Sequence, residues 1–285
     1  MAVQDNTPVW FITGCSSGFG WELSRAVLER GWRLVVTARN PAKLADLVAG
    51  HADQVVVAGL DVTKPAEIRA AIAQAMERFG RIDVLVNNAG YSYSSSIEEG
   101  DDAQIRAMYD ANVFGLVDVT RQTLPIMRAQ RSGYIVNISS MAGLAGNPGT
   151  GYYSSSKFAV EGISDALAQE VAPLGIKVLI VEPGSFETGF TNATVGGVSM
   201  IDDYAATAGA RMKALTASVG TRAGDPQRAA SAIIAVVMSE TPPRRLLLGR
   251  NALVNARAKI AAMTADFDAW ETVTLEADFP KYRSS

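Results

Sequence analysis

Short apolar runs alternate along this chain with longer segments whose apolar residues recur at every third or fourth position. The runs are rich in Val, Ile and Leu and predict buried strands. They lie at residues 9–13, 33–38, 54–59, 83–87, 133–138, 177–182 and 245–248. The periodic segments predict helices and lie at 19–30, 41–49, 65–79, 101–129, 152–172 and 226–239. The alternation predicts an α/β fold in which helices cover both faces of a parallel sheet.

Two segments depart from this alternation. Residues 189–225 contain several glycines and a predicted helix near 201–217, which favours a mobile lid beside a cleft. Residues 250–285 follow the last strand, and we expect their aromatic residues to pack onto the body or onto a neighbouring subunit; these are Phe267, Trp270, Phe279 and Tyr282. No Pro/Ser-rich or charged linker divides the chain, so we expect one domain over 1–285.

Composition excludes several classes of function. The chain has 285 residues and 48% hydrophobic content, enough for one large core, and a net charge of −3 with no basic run longer than two residues, which argues against nucleic-acid binding. No apolar stretch approaches the roughly 20 residues of a membrane span. The N-terminus lacks an export signal, and the single cysteine fits a reducing compartment. We therefore expect a cytoplasmic protein that does not bind membranes.

Tyr153 and Lys157 lie four residues apart and so share one face of the helix predicted at 152–172. A phenol has an ordinary pKa of about 10, and an ammonium group one turn away favours the phenolate and lowers that pKa. A phenol tuned in this way can exchange a proton with a carbonyl or alcohol oxygen. The neighbouring Tyr152 has no lysine at the same spacing, so we expect it to pack or to touch substrate.

A glycine-rich turn joins the first predicted strand to the first predicted helix. Its spacing is G-x-x-x-G-x-G, and a strand, glycine turn and helix in this order predict a dinucleotide-binding turn. Glycine lets the backbone approach a pyrophosphate, and the helix N-terminus supplies N–H donors. The predicted nucleotide contacts here are Gly14, Ser16, Ser17, Gly18, Phe19 and Gly20. An ordinary tight strand–helix turn remains the alternative.

Polar residues also follow two other predicted strands. Asn87-Asn88-Ala89-Gly90 comes at the end of the strand at 83–87, and Ser139-Ser140 follows the strand at 133–138. Ligands of open parallel sheets bind outside the carboxyl ends of the strands. These residues are therefore expected to line the same cleft as the glycine turn.

Together these motifs resemble the short-chain dehydrogenase/reductase family. They occur in the family's order and span residues 8 to 250. The matching residues are Thr13, Gly14, Gly18, Gly20, Asp61, Val62, Asn87, Asn88, Ala89, Gly90, Asn112, Ser140, Tyr153, Lys157, Pro183, Gly184 and Thr188. The resemblance implies a Rossmann-like doubly wound sheet of about seven strands in the order 3-2-1-4-5-6-7. It also implies reversible hydride transfer between a nicotinamide nucleotide and a carbonyl or alcohol group.

The resemblance also implies roles for the polar residues of the cleft. Tyr153 would act as general acid in reduction and base in oxidation, while Lys157 would lower its pKa and bind the nicotinamide ribose. Ser140, thirteen residues before Tyr153, would polarise the carbonyl; Ser139, expected on the opposite face of the strand, is the rival. Asn112 would support a proton relay through water, or would tie its helix to the sheet, and these two roles are compatible.

The end of the second strand bears on the choice of nucleotide. An NAD site would have a carboxylate at position 38, but Ala38 stands there and Arg39 follows. Because an arginine fork pairs well with phosphate, the sequence predicts NADP(H) rather than NAD(H). The alternative is that Arg39 is simply exposed to solvent.

By the same resemblance, Asp61 and Val62 would lie near the adenine. Pro183 and Gly184 would lead into Thr188, which would contact the nicotinamide amide or the pyrophosphate. Glu187 is unexpected beside a polyphosphate, because it adds a negative charge there, and would point outward or engage the substrate.

Other reactive side chains are sparse. Cys15 lies in the glycine turn and is interpreted as a small loop residue rather than an activated thiol. His51 is the single histidine and is far in sequence from every motif, which argues against a histidine-containing catalytic triad. No cluster of metal-ligating residues has the spacing of a metal site.

The predicted substrate pocket is apolar and aromatic. Its residues are Tyr91, Tyr93, Met141, Tyr152, Phe186 and Phe190 together with Ser140. This lining favours an uncharged, fairly hydrophobic ketone, aldehyde or alcohol. Two alternatives remain: a nucleotide-dependent epimerase or dehydratase, for which the chain is short, and a non-catalytic NADP-sensing protein, in which the tyrosine or lysine is usually lost. The resemblance further implies a homodimer or homotetramer joined through the helices at 101–129 and 152–172.

Overall fold

The computed structural model describes residues 7–188, 195–196 and 201–279. The strands are β1 (Val9–Ile12), β2 (Arg33–Ala38), β3 (Val55–Gly59), β4 (Val84–Asn87), β5 (Tyr93–Ser94), β6 (Gly133–Ile138), β7 (Ile176–Pro183), β8 (Val195–Gly196) and β9 (Arg245–Leu248). The α-helices are α1 (Gly18–Leu28), α2 (Ala45–Val48), α3 (Pro65–Phe79), α4 (Asp102–Tyr109), α5 (Leu116–Gln130), α6 (Gly151–Val171), α7 (Ala210–Ala217), α8 (Pro226–Val237), α9 (Arg250–Ala269) and α10 (Glu271–Glu276).

Seven of the strands form one parallel sheet in the order β3-β2-β1-β4-β6-β7-β9. The seven strands predicted from the apolar runs are therefore confirmed, and so is their order. The chain runs outward from β1 to β3 and then returns to β4 on the other side of β1. In open parallel sheets, ligands bind at such a reversal of strand order, outside the carboxyl ends of the strands.

Alternating side chains of the strands divide the core between the two faces of the sheet. In β1, Trp10 and Ile12 pack with residues of α1 and α8, including Val27 and Ile233. Phe11, which lies between them, packs on the opposite face with residues of α3 and α5 such as Ile68. Because both faces are covered, the strands contain nearly continuous apolar sequences, which is the pattern that made them visible from the sequence.

The segment predicted as one helix at 101–129 is interrupted. α4 ends at Tyr109, a π-helical turn occupies Asp110–Gly115, and α5 then continues to Gln130. A single π-helical turn inserts an extra residue into the ladder, and such turns are frequent at functional sites. Asn112 lies in this turn.

The chain after β9 differs from the expectation. Ala252 and Ala256 of α9 are buried, but every residue from 257 to 279 is exposed. Phe267, Trp270 and Phe279 are 64%, 65% and 74% exposed, so they do not pack onto the body, and the alternative that they pack onto a neighbouring subunit stays a prediction. The buried residues of α9 therefore lie in its first two turns. Tyr282 lies outside the described residues.

The segment beside the cleft is described from residue 201 onward. The helix predicted near 201–217 consists of a short 3-10 turn, a π-helical turn and α7. Residues 189–194 and 197–200, and with them Phe190, lie outside the described residues, so the mobile lid stays a prediction. Within the described ranges, no helix combines the length and the apolar character that crossing a membrane requires.

The sheet core gives a stability prediction. Ile135 in β6 is fully buried, so Ile135→Ala should lower the free energy of unfolding by about 2–5 kcal/mol through lost burial and a residual cavity. Ile97 is 65% exposed, so Ile97→Ala should change it by about 0.5 kcal/mol or less. Chemical denaturation of both variants measures the difference. Equal losses would contradict the placement of Ile135 in the core.

Candidate active site

The glycine turn after β1 lies directly against the end of β4. Gly14 has a φ of +70°, and a Cβ there would approach the Cα of Ala89 to 2.9 Å. A Cβ on Gly20 would lie 2.5 Å from Nδ2 of Asn88. Because Gly14 and Gly20 have no side chains, the turn packs closely against the residues that follow β4. This packing sets the position of the turn and of the start of α1.

Thr13 connects the two segments through its hydroxyl group. Its Oγ1 accepts hydrogen bonds from the backbone N–H groups of Asn88 (2.9 Å) and Ala89 (3.0 Å). The Asn88 side chain donates in return to the carbonyl oxygens of Thr13 and Gly14, both at 2.9 Å. Thr13 appears in the family-like motif, but its role as the acceptor that joins the two strand ends was not predicted.

The turn has the features of a phosphate cradle. Ser16 and Ser17 are exposed, and Ser17, which precedes α1, makes no side-chain capping hydrogen bond to the helix. Gly18 adopts a φ of +60°, and a Cβ there would lie 3.3 Å from Cβ of Thr188. Phe19 packs edge-on against Phe186 with a centroid distance of 5.1 Å. The residues present therefore fit a nucleotide whose phosphates lie at the N-terminus of α1.

Tyr153 lies half-buried at the start of α6, with a hydrogen bond to the side chain of Ser140. Burial raises the pKa of Tyr153 to about 12, and the hydrogen bond from Ser140 opposes this only in part. The expectation that this pKa lies below its ordinary value is therefore wrong. The physical reason is that burial penalises the phenolate more than its neighbours stabilise it.

Lys157 is 5% exposed and lies one helical turn from Tyr153. Its Nζ is 5.8 Å from the centroid of the Tyr153 ring and donates a hydrogen bond of 2.8 Å to the carbonyl oxygen of Ile138. Burial lowers the pKa of Lys157 to about 8, and the carboxylate of Glu161 opposes that shift. The hydrogen bond to Ile138 therefore anchors the Lys157 nitrogen to the end of β6, beside the Tyr153 ring.

The two serines after β6 diverge. Ser140 begins a short 3-10 turn, and its Oγ accepts a hydrogen bond from the backbone N–H of Ala142 at 3.1 Å. Ser139 is 3% exposed and donates to Oε1 of Glu161 at 2.5 Å. The structure therefore brings Ser140, and not Ser139, to Tyr153.

Asn112 is 1% exposed and its amide is fully engaged. Its Oδ1 accepts from the backbone N–H of Tyr91 at 3.0 Å, and its Nδ2 donates to the Tyr91 carbonyl at 2.8 Å and to Oγ of Ser156 at 3.2 Å. A Cβ on Gly90 would lie 2.8 Å from the Asn112 Oδ1. Asn112 thus joins its π-helical turn to the loop after β4 and to α6, while its two predicted roles stay predictions.

β2 runs parallel to β1, so its end lies at the same edge of the sheet as the glycine turn. Ala38 is buried and Arg39 is exposed, and the Arg39 charge reaches Asp61 after β3. Burial raises the pKa of Asp61, but hydrogen bonds from Thr63 and nearby cations, Arg39 among them, hold it below its usual value. Val62 is 8% exposed and packs closely against Gly115. A Cβ added to Gly115 would lie 2.7 Å from the Val62 side chain. A carboxylate and a guanidinium therefore flank the predicted adenosine site.

The loop after β7 is held on both sides. Pro183 ends β7, and the backbone N–H of Gly184 donates to the carbonyl of Leu248 at 3.0 Å. Oε2 of Glu187 accepts from the N–H groups of Gly220 (3.0 Å) and Arg222 (3.3 Å). Glu187 therefore ties the loop to residues 220–222, a role that neither alternative from the sequence anticipated.

Comparison with known proteins identifies the family. A family model described as short chain dehydrogenase matches residues 8–197. The chain is 37% identical over 270 residues to oxidoreductase BOA17 of Botryotinia fuckeliana, a match that covers 94% of this chain and 98% of that protein. It is 36% identical over 239 residues to a 3-ketodihydrosphingosine reductase of Bacteroides thetaiotaomicron, covering 84% and 86%. The chain belongs to the short-chain dehydrogenase family.

Solved structures agree with this result. A short-chain dehydrogenase from Streptomyces avermitilis superposes with a TM-score of 0.90 at 38% identity, covering 97% of this chain and 100% of that one. A family structure from Burkholderia phymatum holds NAD (TM-score 0.81, 24% identity, coverage 93% and 96%), and the protein ElxO holds NADP (TM-score 0.72, 26% identity, coverage 87% and 99%). Structures of this fold thus bind NAD or NADP, and the protein is an oxidoreductase of the short-chain dehydrogenase family.

Of the predicted substrate contacts, two tyrosines are engaged within the protein. Tyr93 is 5% exposed, and its hydroxyl accepts from the N–H of Asp101 at 2.8 Å. The hydroxyl of Tyr152 donates to the carbonyl of Ile97 at 2.7 Å. Their contact with substrate stays a prediction, and these hydrogen bonds give both tyrosines a structural role in the loop beside the cleft.

The remaining predicted contacts differ in accessibility. Tyr91 and Met141 are half-buried at the edge of the cleft, after β4 and β6 respectively. Phe186 is 8% exposed and belongs to the core on the α1 side of the sheet. Cys15 is fully buried, and burial raises the pKa of its thiol to about 11, which agrees with an inert loop residue. In the described part of the chain, no group of three His, Cys, Asp or Glu is placed to hold a metal ion.

A buried charge cluster behind Lys157 was missed from the sequence. Arg245 of β9 contacts three carboxylates: Oε2 of Glu161, Oε1 of Glu182 at 2.7 Å and Oδ2 of Asp165 at 2.6 Å. Glu161 and Glu182 are 6% and 0% exposed. Glu161 lies four residues after Lys157 on α6, so the spacing that identified Tyr153 and Lys157 also gives a signal for this residue. Arg245 and Glu182 have no such signal, because they come from different strands.

The cluster should give the protein a distinct pH dependence of stability. Burial and the neighbouring Glu182 carboxylate raise the pKa of Glu161 to about 7, against the opposing effects of the Ser139 hydrogen bond and of Arg245. A carboxyl group whose pKa is raised by folding stabilises the folded state in its protonated form. This stabilisation is complete below the unfolded-state pKa of about 4.3 and is lost as the pH rises through 7. Wild type should therefore lose more unfolding free energy between pH 5 and pH 8 than Glu161→Gln, as denaturation at both pH values would measure.

The control for this comparison is Glu170→Gln, since Glu170 lies exposed on the same helix. It should keep the wild-type difference between the two pH values. If Glu161→Gln also kept that difference, the carboxyl of Glu161 would not be the group that titrates.

Proposed function

We propose that this protein is an NADP(H)-dependent oxidoreductase that interconverts a carbonyl and an alcohol on a fairly hydrophobic small molecule. The observation that carries the proposal is the hydrogen-bonded pair of Ser140 and Tyr153, with Lys157 one helical turn away, at the carboxyl edge of the sheet. The glycine turn that fits a nucleotide lies on the same edge, packed against the residues before Gly90.

The proton chemistry follows from the protonation state of Tyr153. A phenol whose pKa is raised to about 12 holds its proton at neutral pH, and this is the form that can donate to a carbonyl oxygen during reduction. Ser140 adds a second hydrogen-bond donor for the charge that develops on the same oxygen. When bound, the nicotinamide nucleotide supplies or accepts the hydride. The Lys157 ammonium stabilises the phenolate that donation leaves behind.

The nucleotide would be held along the carboxyl edge of β1 to β4. The phosphates would lie at Ser16, Ser17 and Gly18, and Lys157 would bind the nicotinamide ribose. The adenosine end would face Asp61 and Val62, with Asn88, Ala89 and Gly90 lining the middle of the cleft and Pro183, Gly184 and Thr188 closing it.

The preference for NADP(H) rests on Arg39. It is exposed at the end of β2, beside an alanine that carries no carboxylate for the ribose hydroxyls. A guanidinium that pairs bidentately with a 2′-phosphate favours NADP(H) over NAD(H).

The proposed domain organisation and assembly are those expected from the sequence and from the family resemblance. One nucleotide-binding domain would span 1–285, with a lid insert at 189–225 and a C-terminal extension at 250–285. A homo-oligomer would form through the helices at 101–129 and 152–172. The exposure of Phe114 (59%) and Phe158 (46%) on these helices supports an interface there.

A hydrophobic carbonyl substrate is the class that the proposed site favours. Tyr91 and Met141 offer half-buried surfaces beside Ser140. The relative from Bacteroides thetaiotaomicron is named for a ketone with a long alkyl chain, which agrees with this class. A panel of uncharged ketones and aldehydes, followed by the oxidation of NADPH, tests the proposal.

Tyr153→Phe tests the proposed acid. Removing the phenol oxygen should lower turnover of a ketone by about 10²–10⁴-fold, the usual contribution of general acid catalysis. Tyr152→Phe is the matched control and should keep turnover within a few fold, since the Tyr152 hydroxyl bonds to Ile97 instead. Steady-state rates together with NADPH binding by fluorescence separate lost chemistry from lost folding. Normal turnover by Tyr153→Phe would rule out the proposed site.

Arg39→Asp tests the nucleotide preference. The carboxylate should repel a 2′-phosphate and accept hydrogen bonds from ribose hydroxyls, so the ratio of kcat/KM for NADPH to that for NADH should fall by at least about tenfold. Arg106→Asp makes the same change of charge on exposed α4 and should leave the ratio unchanged. A wild-type enzyme that already prefers NADH would contradict the assignment.

A further inference from the structure

Glu161 is a buried carboxyl group next to the proposed catalytic lysine. It lies four residues after Lys157, so the two side chains share one face of α6. Lys157 is 5% exposed and Glu161 is 6% exposed. A charge at this depth is strongly unfavourable unless an opposite charge lies nearby, and buried charges are screened less than those on the surface. The charge of each residue therefore depends on that of the other.

The carboxyl group of Glu161 is held in place by residues from other elements. At the end of β6, Ser139 donates a hydrogen bond of 2.5 Å to its Oε1. On the other side, Arg245 of β9 donates to its Oε2. A Cβ on Gly143 would lie 2.9 Å from Oε1, so the short 3-10 turn packs directly against the carboxyl group. These contacts fix the carboxyl group beside its neighbour on α6.

The charges around Glu161 do not balance. Glu182 of β7 is 0% exposed, and its Oε1 binds the same Arg245 guanidinium at 2.7 Å. Asp165, one turn further along α6, binds this guanidinium through Oδ2 at 2.6 Å. With Lys157 included, two cations face three carboxyl groups. The Glu182 charge opposes the ionisation of Glu161, and the Arg245 charge favours it.

The order of two titrations shows where the Glu161 charge matters. Burial and the Glu182 carboxylate raise the pKa of Glu161 to about 7. Burial lowers the pKa of Lys157 to about 8, and the Glu161 carboxylate opposes this. As the pH rises, Glu161 therefore becomes negative shortly before Lys157 loses its proton. The carboxylate holds the proton on Lys157 to a higher pH than burial alone would allow.

We propose that Glu161 is a positioning residue that keeps Lys157 protonated at neutral and mildly alkaline pH, and that Arg245 keeps Glu161 ionised. Arg245 would thus act on the site from β9, the strand at the edge of the sheet. The effect on Lys157 does not depend on the reaction catalysed. Its consequence for turnover rests on the proposed function, in which the ammonium group stabilises the phenolate of Tyr153.

Titration of the Lys157 side chain tests the proposal without substrate or nucleotide. In protein labelled with ¹³C at the lysine ε-carbon, the Lys157 resonance is assigned by its absence from Lys157→Met. Glu161→Gln should lower the pKa of Lys157 by about 1 pH unit, because the neighbouring negative charge is lost. Glu161→Asp keeps the charge and should lower it less. Glu170→Gln, exposed on the same helix, should leave it unchanged. An unchanged Lys157 pKa in Glu161→Gln would overturn the proposal.

Arg245→Met separates the proposed relay from simple charge repulsion. Loss of a nearby positive charge, acting directly, would raise the pKa of Lys157. If Arg245 acts through Glu161, its loss leaves Glu161 protonated to higher pH, and the pKa of Lys157 should fall instead. Arg244→Met removes the same charge from an exposed neighbouring position and should change nothing. A rise, or no change, in Arg245→Met would overturn the role assigned to Arg245.

Ser139→Ala is a milder variant that keeps the test decisive if the others do not fold, as judged by their unfolding midpoints. The Ser139 hydrogen bond lowers the pKa of Glu161, so its loss favours the neutral carboxyl group. The pKa of Lys157 should fall in the same direction as in Glu161→Gln, but by less. With the other variants unfolded, an unchanged Lys157 pKa in Ser139→Ala would overturn the proposal.

Turnover should show the same dependence on pH. Lys157 is protonated at pH 6 with or without the Glu161 charge, but not at pH 9. The ratio of the wild-type kcat to that of Glu161→Gln, at saturating NADPH and ketone, should therefore rise by up to about tenfold between these pH values. A merely structural role would lower kcat equally at both, and this result would overturn the proposal. A wild type that reduces no carbonyl compound would contradict the proposed function, while the Lys157 titration would still decide the role of Glu161.

Discussion

The contact between the glycine turn after β1 and the end of β4 is the constraint on which the rest of the site depends. Thr13 and Asn88 exchange hydrogen bonds across it, and Gly14 and Gly20 allow the two backbones to approach. Because Gly90 follows on the same strand end and lies against Asn112, this contact links the proposed nucleotide cradle to the helices that carry the catalytic side chains. A side chain at either glycine would separate the two halves of the site.

The second organising feature is the buried charge behind the site. Lys157 is held by a carbonyl of β6 on one side and influenced by Glu161 on the other. Glu161 is in turn fixed by Ser139 and Arg245. Isolated charges at such depth would be unfavourable, so the lysine depends on this network for its charged form. The network also explains why Ser139 is turned away from the cleft and Ser140 is left to face Tyr153.

The C-terminal helix α9, unlike the elements around the site, is exposed to solvent over most of its length. Every residue of α9 after Ala256 is exposed, and a solvated helix gains little stability from propensity alone.

The sequence by itself determined the seven strands, their parallel arrangement and the identity of the family, because buried strands, helix periodicity and the glycine turn are local patterns. It also placed Tyr153 and Lys157 on one helix face. Only the tertiary structure decided that burial raises the pKa of Tyr153, that Arg245 joins Glu161 and Glu182 behind the site, and that the aromatic residues after β9 leave the body. Those outcomes depend on desolvation and on contacts between residues distant in sequence, which no local pattern encodes.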